Sequence, residues 1–282
     1  MFESIKLIAV LLISGLCVIP ARSQTYTTID YPGATQTYAY GINKSGDIVG
    51  TYFDTPTSSH GFLLSGGVYS SIDVPGATST VATGINDRGQ IVGAYYTASS
   101  TKGFVLSNGT YTTLQYPGAT YTLAQSINNV GQVTGAYTLS AQSKNHGFEF
   151  SQGTYTQIEP QGSVQSQLWG INSRGISVGF ATRSDNTTSG FAYSSGKFFK
   201  IFYPGSVLTA AYGINRANEI VGCYQQNMGP NEGFIWTQGT YSTFFFPLSY
   251  ETCGYGVNDA GQIVGYYANF SDFIPHGYLR NP

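Results

Sequence analysis

Along most of the chain, hydrophobic and polar residues alternate over short runs separated by Gly, Asn, Asp, Pro or Ser. Thr80–Asn86, Gln90–Tyr96, Gly103–Ser107 and Thr110–Tyr116 are four consecutive runs of this kind. Period-two alternation bounded by turn formers predicts short strands. No helical period appears after residue 23, so the expected class is all-β.

The runs recur in register. An Asn inside a "GIN..G.IVG" element falls at positions 43, 86, 128, 172, 215 and 258. Prolines of a "PGA" element stand at 32, 75, 117, 160, 204 and 247, and a Gly-aromatic pair begins at 61, 103, 147, 190, 233 and 277. Three landmarks sharing one period of about 43 residues define six copies of a four-strand unit, which predicts a six-bladed β-propeller of four-stranded blades. The last copy supplies three strands, at Thr252–Asn258, Gln262–Ala268 and Gly277–Arg280, and stops. Its fourth is expected to be Thr25–Tyr31, so that the N-terminal strand completes the last blade and closes the ring without exposed edges. An open solenoid has no such reason for complementary ends and usually needs capping repeats.

The turn between the first two strands of each unit begins with Asn and carries Gly at its fourth position, at 46, 89, 131, 175 and 261, with Asn218 the exception. That pattern predicts a type I turn closed by a left-handed residue, which Gly and Asn tolerate best. The recurrent Asn residues therefore read as turn residues bonding nearby backbone. Ala39, Ala82, Ala124, Leu168, Ala211 and Gly254 recur at one place in the first strand, and their small size suits convergence of the blades on an axis.

Residues 1–23 stand apart. Lys6 precedes an apolar run from Leu7 to Ile19, and Pro20-Ala21-Arg22-Ser23 offers small residues for cleavage, the layout of a secretory signal. The run of 13 residues is shorter than the ~20 needed to span a bilayer. The expectation is one domain, 24–282, exported to the periplasm or fully secreted, monomeric, and free of the membrane once the signal is removed. A formal net charge of −2 gives no basic excess for nucleic acid. Of three cysteines, Cys223 and Cys253 remain after the signal. An oxidising compartment permits their pairing, and geometry decides it.

His60-Gly61-Phe62, His146-Gly147-Phe148 and His276-Gly277-Tyr278, together with "GIN..GQIVG" at Gly84–Gly93 and Gly256–Gly265, resemble the bacterial extracellular HAF repeat family. The resemblance spans all six units. This chain has Gly where the family's triplet has Ala, and three units lack the His. What the family implies is an exported repeat protein; it implies no reaction or ligand.

Candidate chemistry is sparse. The histidines belong to three separate units and are expected to serve strand starts, with no metal site and no cofactor. Asp30, Asp73 and Glu159 recur at one strand position, while Asp54, Asp185, Glu232 and Asp272 lie in the variable second connections. No spacing implies the carboxylate pair of a glycosidase, so no catalytic residue is assigned. The residue before each "GIN" varies, as Tyr40, Thr83, Gln125, Trp169, Tyr212 and Tyr255. Tyr40, Trp169, Tyr212 and Tyr255 are the ligand-binding candidates, because aromatics with uncharged polar neighbours suit sugars or peptide side chains. The reading is a non-catalytic binding module for a glycan or a protein surface, on the face of the variable loops. A carbohydrate-active enzyme with an axial pocket and an envelope or matrix scaffold are the alternatives.

Overall fold

The computed structural model describes residues 24–139 and 144–282; the expected signal segment lies outside the described residues. Every element among them is a β-strand. Unit 1 runs Gln36–Ile42, Ile48–Thr55, Ser58–Ser65 and Val68–Ile72, each antiparallel to the one before. Four further units follow with inner strands Ser79–Ile85, Ala119–Ile127, Ser163–Ile171 and Leu208–Ile214. The sixth has Ser249–Val257, Ile263–Asn269 and Pro275–Asn281, and its outer strand is Thr25–Ile29, paired antiparallel from Thr25 opposite Asn281 to Ile29 opposite Gly277. Single parallel bridges, Tyr121 to Thr101 and Thr188 to Leu208, join units 2 and 3 and units 4 and 5 into eight-stranded sheets.

The turn chemistry matches its sequence pattern. Asn218 takes φ of 64° where Gly46, Gly89, Gly131, Gly175 and Gly261 take 74–84°. The amide at that position donates back to the Asn carbonyl, as Gly46 does to Asn43 at 3.1 Å and Asn218 to Asn215 at 3.1 Å. A buried Thr on the inner strand then anchors the incoming connection. Thr37, Thr80, Thr122, Thr209 and Thr252 each accept, through Oγ1, the N–H six residues earlier.

The core lies between units. Phe62, Phe104, Phe148, Phe234 and Tyr278, the aromatics after the recurrent Gly, are fully buried. The small inner-strand residues face this core and not the axis. Ala82 is fully buried, and a Cβ built on Gly61 would come within 3.1 Å of its Cβ. Their size is set by the preceding unit's Gly-aromatic pair, not by convergence on the axis. Crowding at the axis is borne by the next glycines: a Cβ on Gly256 would approach the Tyr40 carbonyl to 2.7 Å, and one on Gly84 the Gln125 carbonyl to 2.7 Å. The first of these contacts joins unit 6 to unit 1.

Candidate functional site

The inner strands run from the variable-loop face to the tight-turn face, ending at the recurrent Asn. Each Asn shapes its own turn, and five of the six also reach the next unit, Asn43 giving its amide to Asp47 instead. The Asn Oδ1 accepts amides of its own turn, as Asn86 does from Arg88 and Gln90, both at 3.0 Å. In the five, Nδ2 donates to the carbonyl of the next unit's Asn: Asn86 to Asn128 at 3.0 Å, Asn128 to Asn172 at 3.1 Å, Asn172 to Asn215 and Asn215 to Asn258 at 3.2 Å, and Asn258 to Asn43 at 3.0 Å. The turn role was legible in the sequence; the stitching between units was not.

This circlet of amides is the rim of an axial well of about 560 Å³ that opens on the tight-turn face, with Lys44, Asp87, Arg174, Arg216 and Asp259 around it. Asp87 accepts the Lys44 amide at 2.9 Å and Asp259 the Arg216 amide at 2.8 Å, so both carboxylates are engaged. Five isoleucines and Val257 form a belt below the rim, shared with a smaller inner chamber of about 90 Å³. Tyr40, Thr83, Gln125, Trp169, Tyr212 and Tyr255 line that chamber.

All four sequence-derived candidates therefore meet at the axis. Their rings pack on one another: Trp169 lies edge-on to Tyr212 at 4.8 Å and parallel to Tyr255 at 5.6 Å, and Tyr40 meets Tyr255 edge-on at 5.0 Å. They form a floor rather than free stacking platforms. The space beside them adjoins the well through the shared isoleucine belt, and Tyr38 stacks on Tyr40 one step nearer the variable loops. At ~30 Å³ per water, the chamber holds about three waters or one substituent of a larger ligand.

Gln125 is the residue of this site that the sequence did not single out. Its side chain is 2% exposed, and neither Nε2 nor Oε1 has a protein partner. Thr83 spends its hydroxyl on the Ala124 carbonyl at 2.7 Å. Burial pushes the Tyr212 hydroxyl up to about 12 and raises those of Tyr40 and Tyr255 well above the ordinary phenol value. These phenols keep their protons at neutral pH and serve as neutral hydrogen-bonding groups. Among the described residues, no carboxylate lines the chamber.

Elsewhere the histidines pair with the recurrent acids inside their own units. His60 Nδ1 lies 2.7 Å from Asp73, His146 Nδ1 3.1 Å from Glu159, and His276 Nδ1 2.9 Å from Asp30. The signal was present: His and acid occur in the same three units and are missing from the same three. No group of three metal-ligating side chains occurs among the described residues. The loop carboxylates stay apart. Glu232 accepts from the Tyr224 hydroxyl at 2.6 Å, Asp185 from the Thr187 amide at 2.9 Å and Asp272 from the Ile274 amide at 3.0 Å, while Asp54 lies 3.6 Å from His60 Nε2. Cys223 and Cys253 form a disulfide between units 5 and 6, beside Tyr38, Tyr212 and Tyr255.

No family model matches the chain, and no curated protein matches it. Solved structures do. AofleA from Arthrobotrys oligospora aligns over 91% of this chain and 86% of its own, at a TM-score of 0.59 and 10% identity. SapL1 lectin, solved with alpha methyl fucoside, aligns over 87% and 93% at 0.57 and 9%. Aleuria aurantia lectin, described as a six-bladed β-propeller with a novel fucose recognition mode, aligns over 90% and 93% at 0.52 and 12%. A gluconolactonase from Xanthomonas campestris aligns over 92% and 89% at 0.53 and 8%. At such identities the likeness is one of fold: an all-β propeller architecture shared by lectins and a lactonase.

Proposed function

We propose that the chain is an exported, non-catalytic glycan-binding module, a single six-bladed β-propeller over residues 24–282 whose first strand completes the last blade. The observation that carries this reading is Gln125. A buried amide with both ends unpartnered costs free energy unless something satisfies it. Gln125 belongs to the wall of an uncharged chamber it shares with Tyr40, Trp169, Tyr212 and Tyr255, at the bottom of a well rimmed with amides. That combination of apolar faces and neutral donors and acceptors suits a sugar better than an ion. The reading has a glycan terminus enter from the tight-turn face and place one substituent against Gln125. Lectins sharing the fold support the ligand class, and the absence of a chamber carboxylate disfavours the hydrolase alternative. The HAF-repeat resemblance supports export.

A second reading has its own observation. On the loop face of unit 6, Phe270 and Phe273 are 66% and 59% exposed and meet Tyr250 edge-on. Exposed apolar clusters of this kind favour a protein surface as partner.

A glycan array of the protein beside Gln125→Leu and the Trp169→Ala/Tyr212→Ala double variant tests the first reading. Gln125→Leu removes no internal hydrogen bond, so it is expected to fold at least as stably while losing glycan binding. Glycan binding that survives both variants, or none by the parent protein, would overturn the axial site.

A further inference from the structure

The seam between units 5 and 6 differs from its counterparts. In the seam between units 1 and 2, Leu106 on the third strand packs into an apolar cluster with Val49 and Ile72. The same place on the third strand holds Leu64, Phe150, Tyr193 and Trp236 in units 1, 3, 4 and 5. Unit 6 alone has a charge there, Arg280. Its guanidinium lies over the Phe244 ring, 5.5 Å from the centroid, where Leu106 meets Ile72.

Arg280 is 5% exposed and its Nε has no partner. None of the ion pairs among the described residues includes it. A buried guanidinium short of a hydrogen bond is among the more costly features a core can hold. It borders an open cavity of about 330 Å³, which falls within the range of small-molecule sites. The cavity is also lined by Glu219, Asp259 and an apolar wall of Val221, Ile235, Val257 and Ile263. Glu219 Oε2 accepts from the Asn215 side-chain amide at 2.6 Å, and its second oxygen takes no part in that bond.

We infer that this seam is a second ligand site, distinct from the axial well, and that it takes a neutral sugar residue. An anion would meet the Glu219 and Asp259 carboxylates, and a cation would meet Arg280. A neutral polyol accepts from the Arg280 guanidinium, donates to Glu219 and lays its C–H face on the valine and isoleucine wall. The inference shares its ligand class with the axial reading but stands on different residues.

Ligand-observed saturation-transfer NMR of the protein with free L-fucose, D-galactose, D-mannose and D-glucose tests it. Arg280→Leu is expected to fold normally, since leucine fills this place in two other units, and to weaken the bound sugar at least tenfold. Arg280→Lys keeps a positive charge without the planar guanidinium and is expected to weaken it as well, which separates the hydrogen bond from simple attraction and stands in should the leucine variant fail to fold. Retention of the signal by Trp169→Ala/Tyr212→Ala assigns it to the seam. A signal that Arg280→Leu leaves unchanged, or no signal from any of the four sugars with the parent protein, overturns the seam site. The axial reading would still stand if the glycan array responds to Gln125→Leu.

Discussion

Asn258 donates its side-chain amide to the carbonyl oxygen of Asn43 across 3.0 Å, joining residues 215 positions apart in the chain. The same side chain accepts the amides of Ala260 and Gln262, both at 3.1 Å, through its oxygen. One residue thus shapes a turn and holds the sixth unit to the first.

Asn258→Ala should therefore be costly. It strands two amides and a carbonyl, and each buried unpaired group costs about 1–3 kcal/mol. With partial access of water at the rim, a loss of about 2–4 kcal/mol is expected in denaturant unfolding. A loss below about 1 kcal/mol would mean the circlet contributes little.

The ion pair of His276 with Asp30 joins the same two chain ends but is half-exposed, and such pairs contribute about 0–1 kcal/mol. Asp30→Asn is expected to cost no more than that. The comparison with Asn258→Ala in the same assay ranks the two closures directly.

Removing the disulfide should be felt strongly. Cys223 and Cys253 are 30 residues apart, and cross-linking a loop of that size restricts the unfolded chain by about 3–4 kcal/mol. A Cys223→Ala/Cys253→Ala variant should lose that amount. Reductant should destabilise the parent protein and leave the variant unchanged.

Stability should also carry a pH signature from Glu149. Burial raises its pKa above the ordinary 4.5, and the hydrogen bond from Ser177 Oγ at 2.7 Å offsets part of that. A carboxyl with a higher pKa folded than unfolded binds more protons in the folded state. Its contribution is most favourable below the ordinary value, declines as pH rises through the folded value, and stays low above it. Glu149→Gln keeps an acceptor for Ser177 without the charge. It should match the parent protein near pH 3 and exceed it at pH 7 in urea unfolding; an equal difference at both pH values would remove Glu149 as the cause.

Much of the architecture was legible because it is repeated. Six chances to see Gly or Asn at the fourth turn position made the left-handed backbone at Asn218 readable before any coordinates. The strands of the second unit, expected at Gln90–Tyr96 and Gly103–Ser107, are observed at Ile91–Tyr96 and Thr101–Ser107. Features lying between units escaped, since alternation within a strand does not say what a neighbouring strand presents. Ala82 was read as axial and proved to face the preceding unit's Gly61. The four aromatic candidates line one chamber, yet alternation along a strand could not show that their rings pack on one another. Gln125 stood at a position already seen to vary, but only burial shows what its amide lacks. Arg280 is a single departure from its repeat, visible in the same way.

The disulfide also bears on how the ring can come apart. Separation at the meeting of the chain ends would begin by peeling Thr25–Ile29 from Pro275–Asn281 and would then loosen the last unit. Cys253 sits on that unit's innermost strand and is riveted to unit 5. A tear that starts at the ends therefore halts after one unit, with the frayed strands still tethered beside their partners. Re-zipping from that point is a local event, and the ring is spared a search for its own register.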